Sequence, residues 1–181
     1  MPYRTLRIAA MALSALVALP ANAALPVGAK APEIRTQASL AGKPFAFSLA
    51  EALKKGPVVL YFYPAAFTKG CTIEAHEFAE ASDSFRALGA TVIGISADTI
   101  ETLNRFSREA CRDKFAVASA SPATIKAYDV AFPLKPNLSD RTSSVIAPNG
   151  KILYVHSELS PQNHVRNTLG AVRSWRAKNP R

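Results

Sequence analysis

Cys71 is the residue in this sequence best placed to do chemistry. It stands in the stretch Phe67-Thr68-Lys69-Gly70-Cys71-Thr72-Ile73-Glu74, between an apolar run and a segment of helical periodicity. The spacing predicts a cysteine in the first turn of a helix that follows a strand. Free backbone N–H groups and the positive end of the helix dipole point at such a position, and both favour a thiolate over a thiol. A thiolate is a nucleophile, so the position suits attack on an electrophile. Thr68 lies three residues earlier, within reach of a group bound at the sulfur, and Pro64 closes the strand and shields the site from water. A Cys-x-x-Cys redox pair would need a cysteine in place of Thr68, which argues against a thiol–disulfide oxidoreductase. The plain alternative is a small buried residue in a strand-to-helix turn.

Cys111 is the only other cysteine. Structural disulfides persist outside the cytoplasm, so a static Cys71–Cys111 bridge competes with any catalytic reading. No Cys or His pair has metal-ligand spacing apart from Cys71 and His76, five residues apart, so neither a metal nor a cofactor is expected. His76, His156 and His164 lack a triad-like setting and read as surface or helix residues.

The elements that must position Cys71 are legible from periodicity. Ala31 to Phe47 reads as a small hairpin turning at Ala41-Gly42-Lys43, and Ser48 can cap a brief helix, Leu49 to Lys55. Val58 to Tyr63 is a continuous apolar and aromatic run, the pattern of a strand buried on both faces. From Cys71 to Leu88, Phe78, Ala81, Phe85 and Leu88 recur at helical spacing. Thr91 to Ser96 is a second buried strand, and Ile100 to Cys111 a second helix with Leu103, Phe106 and Ala110 on one side. Phe115 to Ala118 is a short strand, and a short helix runs from Pro122 to near Tyr128. Arg141 to Ala147 and Ile152 to Ser157 form a hairpin around Pro148-Asn149-Gly150-Lys151. Ser160-Pro161 caps and opens a last helix carrying Val165, Leu169 and Val172. Ala131 to Asp140 reads as a loop. The order predicts an α/β fold of the thioredoxin kind: a mixed central sheet, with a parallel pair at its centre, flanked by helices.

The chain of 181 residues suffices for one domain with a real core. Residues 1–23 read as a secretory signal peptide. Arg4 and Arg7 precede an uncharged run from Ile8 to Leu19, and Ala21-Asn22-Ala23 is a cleavage pattern. Residues 24–181 then form the domain, exported or periplasmic, without stable membrane insertion. Losing Arg4 and Arg7 takes the net charge from +9 to +7. The remaining basic residues are scattered, with no dense run interleaved by aromatics, so nucleic acid is not an expected partner.

Pro64, Thr68 and Cys71 together resemble the active-site signature of the peroxiredoxins, thiol peroxidases that reduce hydroperoxides. The longer match, Tyr61-Phe62-Tyr63-Pro64 followed by Thr68, Gly70-Cys71-Thr72 and Glu74-Ala75, resembles the subgroup called PrxQ or bacterioferritin comigratory protein. It continues through Gly94-Ile95-Ser96-Ala97-Asp98 and Arg141-Thr142 to Lys151. The resemblance implies a thioredoxin-like fold with Cys71 as nucleophile. Thr68, turn N–H groups and the Arg141 guanidinium would hold the peroxide in line and carry the charge on the departing oxygen. Glu74 matches a PrxQ position and would orient Arg141 or accept a bond at the helix start. The substrates implied are hydrogen peroxide and organic hydroperoxides. The partner implied is a thiol reductant protein, thioredoxin-like or another envelope thiol donor, and the chain is expected as a monomer or weak dimer.

The sulfenic acid left on Cys71 needs a reductant. Many PrxQ proteins place a resolving cysteine five residues on, where this chain has His76. Arg105-Phe106 and Glu109-Ala110-Cys111 resemble a variant that carries it in the next helix, which implies Cys111 as the resolving residue in a transient disulfide. A one-Cys enzyme with Cys111 inert, and a noncatalytic thioredoxin-fold binding module, are the alternatives. The chain also departs from the family in having Lys69 where proline is usual, and in lacking an acidic turn at 117–122.

Overall fold

A computed structural model describes residues 24–180, so the expected signal peptide at 1–23 lies outside the described residues. The chain opens with an antiparallel hairpin, β1 (Arg35–Leu40) and β2 (Lys43–Ser48), turning through left-handed Ala41 and Gly42. Helix α1 (Leu49–Leu53) follows, with the Ser48 hydroxyl accepting from the Glu51 N–H. Then come β3 (Val58–Phe62), α2 (Lys69–Ala87), β4 (Thr91–Ser96), α3 (Ile100–Glu109), β5 (Ala116–Ser119) and α4 (Pro122–Ala127). Short strands β6 (Ala131–Phe132) and β7 (Lys135–Ser139) pair with each other, β8 (Thr142–Ile146) and β9 (Ile152–Ser157) form a second hairpin, and α5 (His164–Lys178) ends the chain.

The main sheet has seven strands in the order β2-β1-β5-β4-β3-β8-β9. Strands β5, β4 and β3 run parallel, one more than the expected parallel pair, and the outer pairings are antiparallel. Every residue of β3 is buried, as its unbroken apolar run requires of a central strand. Its side chains alternate between two cores. Val58, Leu60 and Phe62 pack with Ile34, Leu49, Ile93 and Ile125 on one face. Val59, Tyr61 and Tyr63 pack with Phe78, Phe85, Leu103 and Phe106 on the other. Cys71 and Cys111 both belong to the second core. It is built from aromatic contacts, with Tyr61 stacked on Phe78 at 4.4 Å and Tyr63 on Phe106 at 5.5 Å.

The structure differs from the periodicity reading in four places. Helix α2 begins at Lys69 rather than Cys71, because Thr68 takes the extended N-cap conformation and glycine is tolerated in a first turn that has no intrahelical N–H bonds to make. Helix α3 stops at Glu109 with Ala110 as its C-cap, so Cys111 lies just beyond the helix; Arg112 and Asp113 turn left-handed there. Helix α5 begins at His164 rather than Ser160-Pro161, since left-handed Asn163, a residue type that tolerates φ of 74°, reverses the chain first. The expected loop at 131–140 contains the β6–β7 pair.

Candidate active site

The turn between β3 and α2 is held in shape before any catalytic group enters it. The Asp98 carboxylate accepts from the Ala66 N–H at 2.7 Å and from the Ser96 hydroxyl at 2.7 Å. Ser139, from β7, donates to the Tyr63 carbonyl at 2.8 Å where β3 ends. Phe67 sits at φ 63°, with its ring edge-on to Phe106 at 5.2 Å and under the Arg105 guanidinium at 5.1 Å. Half-buried Pro64 follows the strand. Thr68 is exposed and donates to the Ala65 carbonyl at 3.0 Å, which leaves its oxygen lone pairs unused by that bond.

Cys71 is buried on the first turn of α2, where the leading N–H groups have no intrahelical acceptor. Arg141, just ahead of β8, reaches it from the strand paired with β3, where Thr142 lies opposite Phe62. Its three donor positions are divided: Nη2 to Cys71 Sγ at 3.4 Å, Nη1 to Glu74 Oε2, and Nε to the Leu159 carbonyl at 2.8 Å. The fork geometry of arginine makes this division possible, which a lysine point charge cannot reproduce. Glu74 lies one turn beyond Cys71, so spacing along α2 places both on the face toward Arg141.

Gly70 makes the approach possible. A Cβ at this position would lie 3.0 Å from Arg141 Nη2. Gly70→Ala is therefore expected to displace the guanidinium and slow oxidation of Cys71 by roughly tenfold, since small displacements of a positioned group are costly. The melting temperature should hold or rise, because alanine favours a helix over glycine by up to about 1 kcal/mol. A rate equal to the parent's would show that the contact with Cys71 does not matter.

The electrostatics follow from burial. Burial pushes the Glu74 carboxyl up to about 8, against the pull of Arg141, with Glu77 adding to the rise. Burial opposes the Arg141 charge, but Glu74 and Cys71 beside it hold it above its ordinary value. Behind Glu74 lies His164, fully buried and pushed down to about 4 by burial, with His156 and Arg141 adding to the fall. His164 is a helix residue as expected, the first of α5, but it is buried rather than at the surface and does have a particular setting, which corrects that part of the sequence reading. Its place beside Val165 and eight residues before Val172, on the apolar face of the last helix, was the available signal. Asp98, Gly70 and the Leu159 carbonyl also escaped residue-type reasoning.

These shifts give a pH dependence of stability. The folded protein keeps the Glu74 proton from the ordinary 4.5 up to about 8, so that contribution is complete below 4.5 and lost as pH rises through 8. His164 stays neutral in the fold from the ordinary 6.5 down to about 4, so its contribution is complete above 6.5 and lost as pH falls toward 4. The slopes oppose each other between 4.5 and 6.5 and leave a net loss above 6.5. The unfolding free energy of the reduced protein should fall by about 1 to 2 kcal/mol from pH 6.5 to about pH 9. Urea titrations at several pH values check it, and Glu74→Gln should flatten the decline.

Cys111 is fully buried, and burial pushes its thiol up. Both cysteines are free thiols, so the static bridge is not formed. The buried Tyr61 and Tyr63 hydroxyls, raised by burial and by the nearby Cys111 and Cys71 sulfurs, mark the layer that both cysteines share. The structure thus brings together Cys71, Glu74 and Arg141. It puts Thr68 and Pro64 in the adjoining turn, and Cys111 in the same core at the end of α3. Two surface grooves of about 480 and 490 Å³ involve none of these six residues. Among the described residues no helix is long and apolar enough to cross a membrane.

Residues 27–155 match the model of the AhpC/TSA family. A chloroplastic peroxiredoxin Q from Sedum lineare is 31% identical over 134 residues, covering 74% of this chain and 70% of that protein. A putative peroxiredoxin of Mycobacterium tuberculosis is 35% identical over 133 residues, 71% of this chain and 86% of its own. The matched region spans only 56% of two rice relatives' length. The crystal structure of peroxidoxin BcpB from Mycobacterium tuberculosis superposes with a TM-score of 0.71 at 32% identity, over 82% of this chain and 96% of that one. The sheet order, the helix-start cysteine and these likenesses agree: the chain belongs to the AhpC/TSA family and, within it, to the PrxQ or bacterioferritin comigratory protein peroxiredoxins, which are thiol-dependent peroxidases.

Proposed function

We propose that this protein reduces hydrogen peroxide and organic hydroperoxides at Cys71, and that Cys111 resolves the product as an intramolecular disulfide. The observation that carries the reading is the Arg141 guanidinium shared between Cys71 and Glu74 at the N-terminus of α2. The Cys71 thiolate attacks the nearer peroxide oxygen and the O–O bond breaks. The farther oxygen leaves with the bonding pair, takes a proton and departs as water or an alcohol, and Cys71 becomes a sulfenic acid. Arg141 and the free N–H groups of the first turn are the donors for the developing charge, while Thr68, whose hydroxyl hydrogen goes to the Ala65 carbonyl, offers its oxygen lone pairs to the peroxide O–H. Pro64 shapes the turn and limits water.

The Cys111 sulfur then displaces the sulfenic oxygen as water, forming the disulfide. A thioredoxin-like or other envelope dithiol protein returns both thiols and is itself oxidised. Disulfide geometry needs Cα atoms within about 7 Å, and on this reading loosening of the two helices lets the buried sulfurs meet. Leu103, Phe106 and Ser107 of α3 are buried, as are Ala110 and Cys111 at its end, so loosening means drawing that end out of the core. The signal-like 1–23 segment supports export to the periplasm or an equivalent compartment, and a monomer or weak dimer is the expected working form.

Peptide mass mapping of the reduced protein after one equivalent of hydrogen peroxide tests the reading. A Cys71–Cys111 linked peptide, formed only after peroxide, supports it. Sulfenic or sulfinic Cys71 with Cys111 untouched makes the protein a one-Cys enzyme, an outcome that the burial of Cys111 would explain. No reaction at either sulfur leaves a noncatalytic binding module.

A further inference from the structure

We propose that His164 is a positioning residue for the Cys71 centre: His164 Nδ1 and Glu74 Oε1 hold one proton between them, which leaves the Arg141 charge free to act on the sulfur. The inference deepens the peroxidase reading and rests on it. His164 Nε2 lies 3.0 Å from the Glu158 carbonyl, which can only accept, so Nε2 carries a hydrogen. In the neutral ring Nδ1 is then an acceptor. Ser143 Oγ lies 2.8 Å from it and Glu74 Oε1 3.5 Å from it. Glu74 Oε1 has no hydrogen-bond partner and is fully buried.

Only the Glu74 oxygen is bare, since the Ser143 hydroxyl can turn its hydrogen toward Nδ1 or away from it, and a carboxylate oxygen without a donor, out of water and beside a ring nitrogen, is an unfavourable arrangement. One proton between the two atoms removes it, whichever atom carries it. The opposite displacements of Glu74 and His164, one up to about 8 and the other down to about 4, agree with a single proton on the pair across that range. Other charged or titratable groups also face the pair. Cys71 and Glu77 come from α2, and Arg141 from the start of β8. From β9 and the residues after it come His156, whose ring centroid is 4.4 Å from that of His164, and Glu158, whose carboxylate is 3.8 Å from His156 Nε2. With the proton present, thiolate, guanidinium and pair sum to zero charge. Without it the buried cluster carries a net negative charge, and Glu74 draws the guanidinium away from the sulfur.

The test is the rate of Cys71 oxidation by hydrogen peroxide in the reduced full chain from pH 6 to 9.5, for the parent, His164→Phe and His164→Asn. The parent rate should fall as pH passes about 8, where the shared proton leaves. Phenylalanine fills nearly the same volume, so Glu74 stays buried and loses only its acceptor. The falling limb should move down by about one pH unit, a tenfold change in the proton equilibrium. Asparagine can place an amide oxygen near the Nδ1 position and should return the limb toward the parent midpoint. A purely structural histidine would lower the rate or the melting temperature without moving the midpoint, and an unmoved midpoint in His164→Phe overturns the proposal. If that variant fails to fold, histidine ¹⁵N resonances of the parent decide. His164 Nδ1 should respond across the same limb, and the response should vanish in Glu74→Gln; no response overturns the proposal. Absence of any peroxide reaction at Cys71 would instead sink the peroxidase reading, and the NMR titration would still report on the shared proton.

Discussion

Arg141→Ala is expected to slow the reaction of Cys71 with hydrogen peroxide by on the order of 10²- to 10³-fold, the usual cost of removing a donor aimed at developing negative charge. Among the described residues the variant loses the only side chain hydrogen-bonded to both Cys71 and Glu74. The size of the effect follows from burial. Arg141 is 5% exposed, so little water is at hand to take over its contacts. Stability should respond in a pH-dependent way. Breaking a buried pair strands the partner charge at a cost of about 3 to 5 kcal/mol. Glu74 can escape that cost by keeping a proton, because burial already raises it and the opposing pull of Arg141 is gone. The variant should therefore lose less stability at pH 6 than at pH 9. Arg141→Lys should recover little of the rate, since one ammonium cannot occupy the Nη1 and Nη2 positions together. Stopped-flow oxidation rates and urea melts at the two pH values check both parts. A rate within a few-fold of the parent would remove Arg141 from the mechanism.

Cys111→Ser is expected to leave Cys71 oxidised as a sulfenic acid, to eliminate the linked peptide, and to let excess peroxide carry Cys71 on to the sulfinic acid, which thiol donors do not reverse. Turnover with a dithiol protein should collapse, because the disulfide it reduces no longer forms. Serine also places a hydroxyl in a fully buried apolar layer, at a cost of about 1 to 3 kcal/mol. Cys111→Ala separates that from the chemistry, since it removes the sulfur without adding a polar group. Parent-like turnover in the alanine variant would show that resolution comes from outside the chain. The parent itself should show Cys111 alkylated slowly when reduced, because the thiol is buried and raised, and faster once peroxide has been added. That contrast would report the loosening of α3 that resolution requires.

What was legible in the sequence was local. The all-apolar run of β3 could only be a central strand, and the Thr68-to-Cys71 spacing put the thiol on the first turn of α2. Those properties depend on residues within a few positions of one another. The likeness of Pro64, Thr68, Cys71, Glu74 and Arg141 to a known signature supplied their grouping, which spacing alone could not: Arg141 lies 70 residues from Cys71. Residue patterns misjudged the ends of helices, where left-handed Asn163, Arg112 and Asp113 turn the chain. They also missed β6, which has two residues, and β7, whose sequence Lys135-Pro136-Asn137-Leu138-Ser139 carries a proline and no apolar alternation.

By itself the sequence determined the α/β order, the helix-start cysteine and the family signature, because strand burial, helix capping and dipole direction are set by short-range residue types. Tertiary structure alone decided the division of the Arg141 donors among Cys71, Glu74 and Leu159, the space that Gly70 leaves for them, and the burial of His164 behind Glu74. The physical reason is that these contacts join α2, the residue ahead of β8, and α5, elements far apart in the chain that pack on one face of the sheet. Their charges acquire their properties only when the surrounding packing removes water, and no window along the chain contains that information.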